Sequence, residues 1–307
     1  MPEINSEPLI SVIALNHDQG KFLEETLESV RNQTYKNIEL IICDDYSSDD
    51  SKIKINRWVD RNNYKTKLIF NEQNLGVVKS SNRAIKEATG YYACFIACDD
   101  IMLPDKLTTL VKEFSSLDSS YMAIYTDAQL IDDESKPFSD KSFMEHYRYV
   151  ITPPTGIIFD ELKKGDFIPW PSVLFKNEVF EKLGYFDENL IIEDWDFLLR
   201  LSKDYKIHYS PKSLVKYRFH LGNIHSSKRY LLEAKYEEFK TLIKHLDDPY
   251  CLRRCKSLLV KTYLRGYYRF EEILFLYKAS IGNDLLSRIF SLKQPLRIFK
   301  AIDRIVS

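Results

Sequence analysis

Gly90-Tyr-Tyr-Ala-Cys-Phe-Ile-Ala-Cys-Asp-Asp-Ile-Met-Leu-Pro104 is the stretch whose reading decides the fold. The glycine ends a helical pattern, and the apolar, aromatic and β-branched run from Tyr91 to Cys98 reads as a buried strand. The run stops at Asp99 and Asp100, and Pro104 opens the next helix. Ligands of open α/β sheets sit outside the carboxyl ends of the strands. Two carboxylates at that point suit a hard divalent cation, which would in turn hold a diphosphate.

An Asp-Asp pair alone is weak evidence. The chain holds five, at 44-45, 49-50, 99-100, 132-133 and 247-248. Such pairs are most often solvated turn or cap residues. Only Asp44-Asp45 and Asp99-Asp100 directly follow a strongly apolar run, which sets these two apart.

Working outward, Leu9–Ala14 reads as a first, doubly buried strand. Asn16–Gly20 is a turn, and Phe22, Leu23, Leu27 and Val30 mark the apolar face of a helix. Ile38–Cys43 is a second strand ending at Asp44-Asp45. Ser47–Asp50 supplies cap residues for a helix reaching about Arg61. Lys67–Phe70 is a short third strand, Asn74-Leu-Gly76 a turn, and a helix spans about Val77–Ala88. Strand–helix alternation at this spacing implies βαβ units and a mostly parallel sheet. The first turn lacks a G-x-G-x-x-G, and no G-x-x-x-x-G-K-[ST] occurs, so neither dinucleotide-fingerprint nor phosphate-loop chemistry is indicated.

At 307 residues, 44% hydrophobic and 29% charged, the chain has room for one large domain with an appendage. Its 5 cysteines lie in strand-like or helical runs without zinc-site spacing, and read as reduced core thiols. The start of the sequence has no signal-peptide pattern, and no stretch is apolar enough to span a bilayer. Cys251–Ser307 carries 12 Lys and Arg against 4 Asp and Glu, so the net charge of −1 hides a basic end behind an acidic body.

Taken in order, Leu9–Asn16, Glu39–Ser48, Asn74-Leu-Gly76 with Asn82-Arg83, and Phe95–Pro104 resemble the family 2 glycosyltransferases of the GT-A fold. Trp170–Phe175, Leu183–Glu188, Ile192–Arg200 and Tyr217-Arg-Phe-His220 extend the likeness, which covers about residues 8–225. The fold implied is α/β and GT-A-like: a mixed, mostly parallel sheet flanked by helices over 1–225, with a helical C-terminal region over 226–307.

The resemblance implies a donor site near Asn16, Asp44 and Asp45, where a carboxylate can accept a hydrogen bond from a base N–H. Asn74, Arg83 and Asp99 join the expected donor contacts, with Lys79 a further cation that could face phosphate. Asp99, Asp100 and His220 are the expected ligands of Mg2+ or Mn2+, with His225 a second histidine close by. The family's acidic motif often reads Asp-x-Asp-Asp, and Ala97 stands where its first acid would be. The aspartate matching Asp194 deprotonates the acceptor hydroxyl in the family, with Glu193 the alternative; helix N-terminal acids stabilised by the dipole are the rival account. Trp170 either lines the acceptor pocket by stacking on a sugar face or fills the core.

From Arg229 the pattern turns helical, broken at Asp247-Asp-Pro249. The last segment, Asp284–Ile305, interleaves apolar and basic residues, as expected of a peripheral contact with an anionic membrane surface, or of a packed helical lid or dimer contact. No nucleic-acid reader motif accompanies it. These readings converge on a cytoplasmic or peripheral inverting glycosyltransferase. The donor would be a nucleoside-diphosphate sugar, expected to be UDP-linked, and the acceptor a glycan or lipid-linked molecule, as in bacterial surface polysaccharide or lipopolysaccharide assembly. A sugar-phosphate nucleotidyltransferase and a non-catalytic sugar- or nucleotide-binding relative are the alternatives. Sugar, linkage and oligomeric state carry no sequence signal.

Overall fold

The computed structural model describes residues 7–147, 152–220, 228–282, 284–291, 299 and 302. The chain divides into two compact units, Met1–His220 and Leu221–Ser307.

The first unit is built on an eight-stranded sheet. Its strands are β1 (Ile10–Asn16), β2 (Ile38–Asp44), β3 (Thr66–Phe70), β4 (Tyr92–Ala97), β5 (Ile101–Met102), β6 (Tyr121–Ile131), β7 (Leu174–Lys176) and β8 (Lys206–Arg218), in the order β3-β2-β1-β4-β7-β6-β8-β5. β3, β2, β1 and β4 are mutually parallel, whereas β7 runs antiparallel to both β4 and β6. The sheet is therefore mixed, with its parallel half where the strand–helix alternation was read. Every residue of β2 is buried, which is why it shows no polar–apolar alternation.

Four helices of at least nine residues accompany the first six strands: α1 (Leu23–Arg31), α2 (Ser51–Asn62), α3 (Val77–Ile85) and α4 (Lys106–Ser115). Short helices α5 (Phe143–Tyr147), α6 (Phe159–Leu162) and α7 (Glu178–Leu183) precede α8 (Asp194–Asp204). The helix after Gly76 ends at Ile85, three residues short of the expected Ala88. α3 is unusual in burying Ser80, Ser81 and Asn82 beside Val78, Ala84 and Ile85. Buried polar side chains need partners, and those of α3 find them on both sides of the site described below.

Two of the remaining Asp-Asp pairs are structural. Asp132 turns the hairpin after β6, accepting the Glu134 and Lys136 N–H groups at 2.9 Å each. In the second unit, Asp248 caps α10 (Pro249–Leu264) by accepting the Cys251 N–H at 2.9 Å, with Pro249 in the first turn. α9 (Lys228–Leu242), α11 (Phe270–Ile281) and α12 (Leu285–Ser291) belong to the same unit. Buried Phe239, Leu242, Leu259, Ile273 and Tyr277 form part of its apolar interior. All 5 cysteines are free and buried. No helix among the described residues is long and apolar enough to cross a membrane. Most of the basic segment after Ser291, including Pro295, lies outside the described residues.

Candidate active site

The site is assembled at the carboxyl ends of neighbouring parallel strands. β1 and β2 finish together, with Asn16 opposite Asp44, and β4 lies beside β1 with Ala97 opposite Leu15. The Cys98 N–H continues that ladder to the Leu15 carbonyl at 2.9 Å, so Asp99 emerges on the same edge.

On the β2 side, Asn16 Nδ2 donates to Asp44 Oδ1 at 2.7 Å and to Ser47 Oγ at 2.9 Å. Ser47 returns its N–H and hydroxyl to the Asp44 carboxylate at 3.1 and 2.6 Å. Asn16 Oδ1 is buried without a hydrogen-bond partner, an acceptor whose desolvation nothing offsets. Asp45 is fully engaged. Its Oδ1 accepts from Asn71 Nδ2 at 2.7 Å and Leu75 N–H at 2.8 Å, and its Oδ2 from Gly76 N–H at 2.8 Å. That grip holds the Asn74-Leu-Gly76 turn, where Gly76 takes φ +84°. Asn74, exposed, meets His17 Nε2 at 3.0 Å. Arg83 donates to Asn71 Oδ1, and Lys79 is exposed on α3. The five expected donor residues of this side thus lie in one hydrogen-bonded cluster, and much of their capacity goes to one another.

Beyond β4, Asp99 Oδ2 accepts from Gln19 Nε2 at 2.8 Å and lies 2.9 Å from His220 Nε2. Asp100 points elsewhere: its Oδ1 accepts the Arg218 backbone N–H at 2.8 Å. Burial, then the charge of Asp99, pushes the Asp100 carboxyl well above its ordinary range. The expected trio of Asp99, Asp100 and His220 is not gathered as a three-ligand set; among the described residues no three His, Cys, Asp or Glu side chains are placed to hold a metal. The physical reason is that β5 begins at Ile101 and pairs with β8, so Asp100 is used to seat the neighbouring strand end. What remains is a carboxylate oxygen and an imidazole nitrogen 2.9 Å apart, two protein groups that could hold a divalent cation whose other ligands are waters and phosphate oxygens. His225 lies outside the described residues.

The third group stands at the start of α8. Glu193 is the N-cap residue and only 4% exposed. Its Oε1 accepts from Ser81 Oγ at 3.2 Å, while Oε2 is buried without a hydrogen-bond partner. Asp194 Oδ1 accepts the Trp195 N–H at 2.6 Å, which fixes it at the helix mouth. The Trp195 indole N–H, donating to the Leu162 carbonyl at 2.7 Å, draws in the turn that carries Asp166. Burial first and the Asp194 charge second push Glu193 up to about 8, and the same two causes raise Asp166 well above the usual carboxylate range. Three carboxyls crowd here, and Asp194 is the one whose charge raises its neighbours.

α3 and β4 join these groups. Ser80 accepts from Asn71 at 2.8 Å on the donor side, and the next residue, Ser81, reaches Glu193. Asn82 closes on the backbone of Phe186 at 2.9 and 3.0 Å. On β4, Phe95 stacks on Trp170 at 5.5 Å and meets Phe180 and Phe186 edge-on. Trp170 therefore packs against the aromatic core, as one of its two expected fates required. It is nevertheless only partly buried, and its indole N–H has no hydrogen-bond partner.

Sequence reasoning passed over Gln19, Asp166 and Arg218. Gln19 sat in the first turn and Arg218 inside a quoted motif, so both were findable. Asp166 follows Lys163-Lys-Gly165 in a turn with no periodicity to single it out.

A sequence profile of the glycosyl transferase family 2 matches residues 11–184. An uncharacterized glycosyltransferase of Methanocaldococcus jannaschii is 32% identical over 238 residues, covering 73% of this chain and 77% of that protein. Among solved structures, S. aureus TarS in complex with UDP-GlcNAc superposes with a TM-score of 0.63 at 17% identity, covering 97% of this chain and 89% of that one. The mannosyltransferase PcManGT of Pyrobaculum calidifontis, in complex with GDP-Man and Mn2+, gives 0.60 at 16% identity, covering 100% and 86%. The architecture is that of the GT-A glycosyltransferases, and together with the profile and the archaeal relative it shows that the chain belongs to glycosyl transferase family 2.

Proposed function

We propose that the protein is an inverting glycosyltransferase that takes a sugar from a nucleoside-diphosphate donor, UDP-linked in the first instance, and places it on a hydroxyl of a glycan or lipid-linked acceptor. One observation carries this reading. Helix α3 bonds the donor-side cluster through Ser80 and Glu193 through the next residue, Ser81, while the Asp99–His220 pair stands just past the end of β4, the strand beside β1. Donor-side and proton-accepting groups are thereby linked through one helix, which supports the positioning that displacement at an anomeric carbon requires.

Asn16 and Asp44 would receive the base, the orphaned Asn16 Oδ1 accepting a ring N–H. A divalent cation held by Asp99 and by His220, whose Nε2 lies 2.9 Å from Asp99 Oδ2, would offset charge on the departing diphosphate. Asp194, held at the helix mouth by the Trp195 N–H, takes the proton of the acceptor hydroxyl. The oxygen attacks the anomeric carbon on the face opposite the leaving group and inverts it. Glu193, pushed up to about 8 by burial and then by the Asp194 charge, is the alternative base. TarS was solved with UDP-GlcNAc and PcManGT with GDP-Man, and the two bases make a nucleotide-sugar panel the appropriate test.

The test is turnover of a nucleotide-sugar panel with and without Mn2+, followed by Asp194→Asn on the best donor. The expected result is metal-stimulated release of one nucleoside diphosphate and a loss of about 10²–10⁴-fold in Asp194→Asn with donor affinity retained. Unchanged turnover in that variant removes Asp194 from the role of base.

A further inference from the structure

We propose that Arg218 is a positioning residue which sets Asp99 and His220 against each other. The inference rests on the metal-assisted reading above, and it concerns how this chain builds the pair. Arg218 is the last residue of β8, and its side chain is completely buried. Its Nε donates to the Asp99 carbonyl at 2.6 Å, and its backbone N–H goes to the Asp100 carboxylate at 2.8 Å. One residue thus grips both members of the acidic pair, Asp99 by its main chain and Asp100 by its side chain. His220 follows two positions later and closes on Asp99 Oδ2 at 2.9 Å.

The rest of the guanidinium is spent on the surroundings. Nη1 donates to the Asp132 carbonyl at 2.8 Å and to Ser135 Oγ at 2.9 Å, and Nη2 to Glu25 Oε2 at 2.7 Å. The plane lies over the Phe22 ring at 4.5 Å, and that ring in turn packs against His220 at 5.0 Å. Arg218 therefore locks the acidic turn, the hairpin after β6 and helix α1 into one arrangement, with the histidine held between Phe22 and Asp99. Burying a cation is costly unless it is paired and hydrogen-bonded throughout. A lysine could not meet those partners together, because its ammonium is a single point without the planar fork. Supporting residues of metal ligands typically change metal affinity by about 10–100-fold when altered.

The experiment is calorimetric UDP binding by the full chain across a Mn2+ series, on wild type, Arg218→Lys and Glu25→Gln, with thermal unfolding of each. In Arg218→Lys the Mn2+ concentration that half-saturates the enhancement of UDP binding is expected to rise about 10–100-fold. UDP affinity without metal is expected to stay within about twofold, because Asn16 and Asp44 are untouched. Wild-type Mn2+ dependence in a folded Arg218→Lys overturns the proposal. Should that variant fail to fold, Glu25→Gln, which leaves the Asp99 contact in place, decides: a several-fold shift supports the proposal and no shift overturns it. A wild-type protein that binds UDP with no help from Mn2+ overturns the metal reading itself, and this inference with it.

Discussion

Glu39 and Glu193 are both buried glutamates of the first unit, and they are treated in opposite ways. Glu39, at the amino end of β2, accepts from Ser11 Oγ at 2.6 Å, from Thr89 N–H at 2.6 Å and from Thr89 Oγ1 at 2.9 Å. Burial alone would raise its pKa, but those donors outweigh burial and bring it below the ordinary value. Glu193 has one long bond from Ser81, an oxygen without a hydrogen-bond partner, and a neighbouring acid. Asp45 belongs with Glu39, since two backbone N–H groups and an amide saturate it. Asp99, Asp166 and Asp194 belong with Glu193, packed near other carboxyls, whereas Asp100 is crowded by Asp99 yet serves the fold by accepting the Arg218 N–H. The chain stabilises itself with the acids it saturates. Those it leaves crowded cost stability, and the function proposed above draws its base and its cation ligand from among them.

The largest expected effect comes from a crowded acid. Asp99→Asn should lower transfer by about 10²–10³-fold, the scale seen when a group that stabilises developing charge is removed. Its urea midpoint should be unchanged or higher, because Asp100 loses its repelling neighbour. A variant that instead unfolds easily, with turnover per folded molecule intact, would move Asp99 to the other class. Next comes a saturated acid. Asp45→Ala leaves the Leu75 N–H without its acceptor and the Gly76 N–H with only Asn74 Oδ1 at 3.1 Å, and should cost about 2–4 kcal/mol in a denaturant titration.

This division explains how much could be read beforehand. The strands Ile10–Asn16, Ile38–Asp44 and Tyr92–Ala97 announce themselves as largely apolar runs because both faces of a parallel strand are covered. The acids at their ends could therefore be placed on one edge. Which member of each pair serves the fold could not be read, because that depends on partners far away in sequence: Asp45 on Leu75 and Gly76, Asp100 on Arg218. Asp166 was invisible for a related reason. Its significance comes only from the docking of its turn against the start of α8, through one tryptophan N–H.

A smaller effect separates the two glutamates by pH. Glu193 has a folded value of about 8 against about 4.5 unfolded. The stability present below 4.5 is therefore lost as pH rises towards 8, because the unfolded chain releases the proton first. Glu193→Gln should flatten that decline, a difference on the order of 2 kcal/mol between pH 5 and 8 after allowance for relaxation around the site. Urea midpoints of both proteins across that range check it. A wild-type curve that does not fall would show that Glu193 finds a partner in solution.

The smallest effect carries the opposite sign. Glu39 is held below its ordinary value, so its contribution is present above the unfolded pKa near 4.5 and disappears as pH falls through the folded value. Glu39→Gln keeps the shape but replaces a charged acceptor with a neutral one, at a cost of about 1 kcal/mol at pH 7. The variant and wild type should converge once the wild-type carboxyl is protonated, because both then present one neutral acceptor to Ser11 and Thr89. The same substitution at 193 should make its difference grow with pH, since there it removes a group that the fold disfavours when ionised. Two Glu→Gln changes in one sheet-based unit, measured by one denaturant series, should thus diverge from wild type in opposite directions as pH rises. Parallel curves would mean that burial alone governs both residues and that the hydrogen bonds around Glu39 do not decide its charge.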